Sequence, residues 1–111
     1  MRHLEELSRT DAITMLRSAS VGRVGVTISA LPAILPVNYE VLDEAIVFWT
    51  AAGTKLDAAV RNRVVAFEVD ATDPHAKTGW SVLVVGRAHD VTDPVALDRA
   101  HALRLDAWAP G

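Results

Sequence analysis

Cysteine is absent from this chain of 111 residues, which excludes disulfides, thiolate nucleophiles and cysteine zinc sites. Long apolar runs are absent too. Half of the residues are hydrophobic, but none of their runs approaches the ~20 residues of a membrane helix. The first residues, Met1-Arg2-His3-Leu4-Glu5-Glu6, lack the apolar stretch of a secretion signal. No basic block occurs, and the net charge is −3; duplex nucleic acid held through its phosphates would need a basic stripe. The expectation is a cytoplasmic protein that binds neither membrane nor nucleic acid. Linkers, repeats and low-complexity stretches are missing as well, so residues 1–111 read as one domain. At this length about two thirds of the unfolded surface can be buried, enough for one core. Lysine is scarce beside arginine, so the position of each lysine carries information.

The local patterns that are present alternate between helical and strand periods. Ser8 with Asp11 three residues later resembles a capping box, and Ala12, Ile13, Leu16 and Ala19 follow at helical spacing, predicting a helix from about Ser8 to Ser18. From Val21 to Ile28 the chain alternates and is β-branched, which reads as a strand. After a short turn at Ser29-Ala30, Leu31 to Leu42 reads as a second strand. It contains Pro32 and Pro36, which cannot donate to a ladder and predict an unpaired side there. Ala45 to Thr50 is a third strand after the turn at Asp43-Glu44. Thr54 can cap a short helix through Leu56, Ala59 and Val60. Val64 to Asp70, a polar loop from Ala71 to Thr78, and Gly79 to Val91 complete the strands. Asp93-Pro94 starts a last helix running to about Leu105. Five strands in meander order with helices outside them predict a small antiparallel barrel.

Three places carry polar residues that the pattern does not require. Lys55 sits in the first turn of the short helix, where a cation opposes the helix dipole. An anion held by Thr50, Thr54, Lys55 and free backbone N–H groups explains it; a solvated lysine beside ordinary caps is the plainer reading. Asn38 lies in an otherwise aliphatic strand and either meets a flat heterocycle or answers the irregularity made by Pro36. Trp80 and Ser81 open the fifth strand on opposite faces. The histidines His3, His75, His89 and His101 fall on separate elements without metal-ligand spacing, so no metal is expected. Hydrolytic acid–base machinery is not visible either.

With these residues the chain resembles the pyridoxamine 5′-phosphate oxidase-like family, in its small actinobacterial form. The matching pieces are Val21-Gly22-Arg23-Val24, Leu35-Pro36-Val37-Asn38-Tyr39, the segment from Phe48 to Leu56, Val65 to Asp70, and Gly79-Trp80-Ser81-Val82 through Gly86-Arg87-Ala88. The resemblance implies a mainly β fold, a small antiparallel split β-barrel of the FMN-binding type, working as a homodimer. It implies that Leu35, Pro36, Val37 and Asn38 pass the isoalloxazine, that Thr50, Thr54 and Lys55 take the phosphate side, and that Ser81, with Trp80 adjacent, meets the ring. A flavin-dependent oxidoreductase of unassigned substrate is the function implied. The alternatives are a deazaflavin-dependent reductase and a non-enzymatic flavin- or haem-binding module. Relatives of this size continue past Trp108-Ala109-Pro110-Gly111 into one more strand, which this chain is expected to lack.

Overall fold

The structure is a computed structural model that describes residues 7–51, 53–91, 94–95 and 98–99. Helix α1, Arg9–Arg17, begins where expected because the Ser8 hydroxyl accepts the Asp11 N–H at 3.1 Å. Strands β1 (Val21–Ile28) and β2 (Leu31–Leu42) match the alternation residue for residue. Between them Ser29 and Ala30 both take positive φ, the backbone of a tight two-residue hairpin turn. Strand β3 is Ala45–Phe48, helix α2 is Lys55–Val60, β4 is Val64–Asp73 and β5 is Thr78–Arg87.

All five strands form one antiparallel sheet in the order β3-β2-β1-β4-β5. The meander expectation therefore holds for the first three strands and fails at the fourth, which pairs with β1 rather than β3. The reason lies in α2. It buries Leu56 and Val60 and packs against β1, carrying the chain across the core face to the far side of β1. The barrel is open, since β3 and β5 are the two edges of the sheet.

Three further boundaries differ from expectation, the first being β3, which ends at Phe48 rather than Thr50 because its ladder with β2 stops at Tyr39↔Phe48. The segment read as a loop from Ala71 is strand through Asp73, because Asp70 to Asp73 find ladder partners in Thr78 to Ser81. Backbone pairing outweighs the polar composition there, and Asp73 then caps the turn by accepting the His75 N–H at 3.0 Å. Strand β5 stops at Arg87, where Ala88 donates its N–H to the Arg63 carbonyl at 2.8 Å. Residues 94–95 and 98–99 are helical, as the Asp93-Pro94 signal predicts; the rest of the predicted helix, to about Leu105, falls outside the described residues.

One face of the sheet carries the core. Val24, Val37, Tyr39 and Val69 are fully enclosed, with Phe67, Val26, Val82 and the helix residues Leu16, Leu56 and Val60 packed around them. The Tyr39 hydroxyl donates to the Leu16 carbonyl at the end of α1. Outside the core, Arg17 donates to the Asp43 carbonyl at 2.7 Å, and Arg99 grips the Asp43 carboxylate at 3.1 Å and 3.3 Å. The β2–β3 turn is thus tied to α1 and to the C-terminal helical residues. Among the described residues no helix is long and apolar enough to cross a membrane.

Candidate functional site

Strands β2 and β3 pair over four residue pairs, from Leu42↔Ala45 to Tyr39↔Phe48, and then part. One residue beyond the last pair stand Asn38 and Trp49, at the mouth of a fork. On the β2 arm, residues from Leu31 to Val37 pair with β1 on one side and with no strand on the other, among the described residues. The Tyr39 N–H donates toward β1, to the Ser20 carbonyl at 3.1 Å. Backbone groups alternate sides along a strand, so the odd-numbered amides face β1. Pro32 and Pro36 then fall on the open side, where the missing N–H costs nothing. The unpaired edge predicted from the two prolines is present.

Side-chain placement divides the four residues expected along the ring. Pro36 is exposed and Asn38 half-buried on the outer face, away from the core. Val37 is 1% exposed inside the core, and Leu35 packs against that core from the same side. Any contact that Val37 makes with a ligand comes from its backbone.

On the other arm of the fork, Thr50 and the first residues of α2 are organised around Asp57. Its carboxylate accepts the Thr50 hydroxyl at 2.7 Å and the Gly53 N–H at 3.3 Å, while its own N–H donates to the Thr54 hydroxyl oxygen at 3.1 Å. The Thr54 hydroxyl donates in turn to the Ala51 carbonyl at 2.7 Å. The Thr50 hydroxyl foremost, then the Gly53 N–H, with Arg61 adding its charge, hold the Asp57 carboxyl below the usual carboxylate range. An internal carboxylate therefore supplies the negative charge that the helix start favours. Sequence reading passed over Asp57, although the Thr54-x-x-Asp57 spacing is that of a capping box. Lys55 is exposed and makes no ion pair among the described residues. Of the three residues expected on the phosphate side, it alone has its polar group uncommitted.

Trp80 and Ser81 are brought to a different place. They lie on β5, opposite Ala71 and Asp70, with Trp80 half-buried against the core and Ser81 exposed on the outer face. Asn38 shares that face but is on β2, and β1 and β4 intervene. Three strand spacings separate them, about 14 Å along the sheet. Between them Arg23 donates to Glu68 and to Asp70, both at 2.7 Å. One chain thus joins the β2 arm to the α2 start, and leaves Ser81 apart.

Two further features stand apart from these arms, the first on the outer face. Ile34, Gly25, Ala66 and Val85 form one row across the sheet by register. The small residues of that row floor an apolar groove of about 350 Å³ between Ile34 and Val85. The second feature is an open surface depression of about 500 Å³ along α2, lined by Gly53, Thr54, Asp57, Arg61, Asn62 and Arg63 among others. Sequence reading did not single out this Arg-Asn-Arg turn; its signal was two arginines flanking a residue suited to positive φ.

Comparison with known proteins agrees with this architecture. A model of the family described as pyridoxamine 5′-phosphate oxidase matches residues 8–111. An uncharacterized protein of Mycobacterium tuberculosis is 43% identical over 112 residues, covering 96% of this chain and 73% of its own length. Among solved structures, an FAD binding protein from Mycobacterium smegmatis superposes with a TM-score of 0.82 at 38% identity, covering 89% of this chain and 81% of that one. An FAD-binding protein from Mesorhizobium loti superposes with a TM-score of 0.69 at 26% identity, covering 92% and 73%.

Proposed function

The chain belongs to the pyridoxamine 5′-phosphate oxidase family, and from that premise we propose that it binds a flavin, FMN foremost, as an oxidoreductase of unassigned substrate. The observation that carries this reading is the fork. After the Tyr39↔Phe48 pair one arm continues as the open edge of β2, with Pro36 and Asn38, and the other leads into the segment from Thr50 to Lys55, which supports a ligand carrying both a flat ring and a phosphate. When bound, the flavin supplies the electron transfer, while the protein binds and orients it. The open β2 edge offers backbone hydrogen bonds to the ring's polar rim, and Lys55 offers a cation to the phosphate. FAD is the second reading, favoured by the two solved relatives that carry FAD binding in their names.

The absorbance spectrum of freshly purified protein, with the mass of the ligand released on denaturation, tests this directly. Flavin bands and the FMN mass are expected. The FAD mass moves the reading to the second cofactor, and a colourless protein that takes up neither flavin overturns both. Lys55→Ala should weaken FMN binding ten- to a hundred-fold, the equivalent of losing a charge-assisted hydrogen bond of about 1.5–3 kcal/mol. Riboflavin, which lacks the phosphate, should bind nearly as before. Equal losses for the two ligands would return Lys55 to a solvated surface role.

The working form we propose is a homodimer. Two observations support it. Ser81 lies about three strand spacings from Asn38 of the same chain, so a ring that meets both residues takes Ser81 from a second copy. The outer face also leaves Ile34, Val64, Leu83 and Val85 between 62% and 73% exposed, apolar side chains that a partner could cover. Sedimentation should show a dimer at micromolar concentration. A monomer that retains its cofactor would refute it.

A further inference from the structure

We propose that the depression along α2 is a second anion subsite, which takes a phosphate group other than the one assigned to Lys55, with Arg63 as its binding cation. The site is an open surface depression with room for about 500 Å³, accessible to a solvated anion. Two arginines and one aspartate line it, so its walls are net positive in a chain whose net charge is −3.

The two arginines are in different states. Arg61 has only loose partners, Asp57 at 3.4 Å and Asp90 at 3.9 Å, with its side chain 54% exposed. Exposed pairs of this kind contribute little and exchange readily for a better acceptor. Asp57 does not depend on Arg61, because Thr50 and Gly53 already satisfy its carboxylate. Arg63 makes no ion pair among the described residues, so its guanidinium is uncommitted. Its backbone, by contrast, is fixed. The Arg63 N–H donates to the Val60 carbonyl at 3.2 Å, and its carbonyl accepts the Ala88 N–H at 2.8 Å. The turn between the arginines is held as well, since Asn62 adopts a φ of 55° and its carbonyl accepts from Arg87 at 2.6 Å. A rigid turn presenting two planar forks to one depression suits the oxygens of a phosphate, which a guanidinium can grip bidentately. Lys55 does not line this depression, although its neighbours Gly53 and Thr54 do.

The chemistry is that of a phosphate ester or pyrophosphate. It has two sources, the distal phosphate of a dinucleotide flavin or the phosphate of a separate substrate. Titration calorimetry of the full chain with FMN, FAD, ADP and inorganic pyrophosphate, in wild type, Arg63→Ala and Arg63→Lys, decides between them. ADP or pyrophosphate affinity is expected to fall about tenfold in Arg63→Ala and less in Arg63→Lys, with FMN affinity unchanged. If FAD weakens with them and FAD displaces ADP, the subsite reads the dinucleotide. If FMN-loaded protein still takes ADP while FAD ignores Arg63, the subsite reads a separate phosphorylated ligand. Arg63-dependent binding of pyrophosphate without uptake of any flavin supports the subsite and removes the flavin reading. If neither pyrophosphate, ADP nor FAD responds to Arg63→Ala while FMN binds normally, the proposal is overturned.

Discussion

Replacing Tyr39 with alanine is expected to cost about 3–5 kcal/mol, the range for truncating a fully buried aromatic side chain. That is a large share of the total of about 5–15 kcal/mol typical of a small domain. The ring is 1% exposed and meets Phe67 edge-on, with centroids 4.9 Å apart at 71°, so truncation leaves a cavity that its neighbours cannot close. The hydroxyl adds a separate contribution through the Leu16 carbonyl. Burial, and the nearby Glu40 charge after it, push the Tyr39 pKa up, so the group stays a protonated donor. Tyr39→Phe should therefore cost about 1–3 kcal/mol, from a buried carbonyl left unpaired. Urea unfolding of the two variants separates the contributions. Equal losses would assign the whole effect to the hydrogen bond, and a loss below about 0.5 kcal/mol in both would remove Tyr39 from the core.

Gly22→Val should destabilise the chain nearly as severely, by overpacking. A Cβ built on Gly22 meets Phe67 Cζ at 2.4 Å and Cε2 at 2.8 Å, with Val69 Cγ2 at 3.1 Å. Phe67 cannot swing aside, because it is 4% exposed and its ring is held against Tyr39. Alanine at this position should cost about 1–3 kcal/mol and valine more. Gly86 is the control, since nothing lies within 4 Å of its Cβ position. Gly86→Ala should stay within about 0.5 kcal/mol of wild type. A Gly22→Ala melting curve that overlays that of Gly86→Ala would show that the Phe67 ring is free to move.

Both positions also show why the candidate site was only partly legible. Gly22 looked like one glycine of a β-branched strand, and Tyr39 like the last residue of a proline-containing motif. Neither spacing says that the two meet the same phenyl ring. The same holds for the polar residues. Thr50, Thr54 and Lys55 are close in the chain, and the structure keeps them close. Asn38 and Ser81 are equally polar in aliphatic strands, yet the strand order puts β1 and β4 between them.

What the sequence by itself determined is what depends on near neighbours. The alternation of Val21–Ile28 and Leu31–Leu42 set which side chains enter the core, because successive strand residues point to opposite faces. Ser8 and Thr54 set where the helices start, because a hydroxyl at that position accepts an otherwise unpaired N–H. Pro32 and Pro36 marked the open edge, because they have no N–H to pair. The tertiary structure decided the rest. Burial of Leu56 and Val60 against the sheet carried β4 past β2 to the flank of β1. Ladder pairing drew Ala71 to Asp73 into a strand despite their composition. Asp57 joined Thr50 and Thr54 at the α2 start, because two donors converge on its carboxylate only once the turn is folded. Local spacing encodes which groups need partners, and only the folded chain decides which partners reach them.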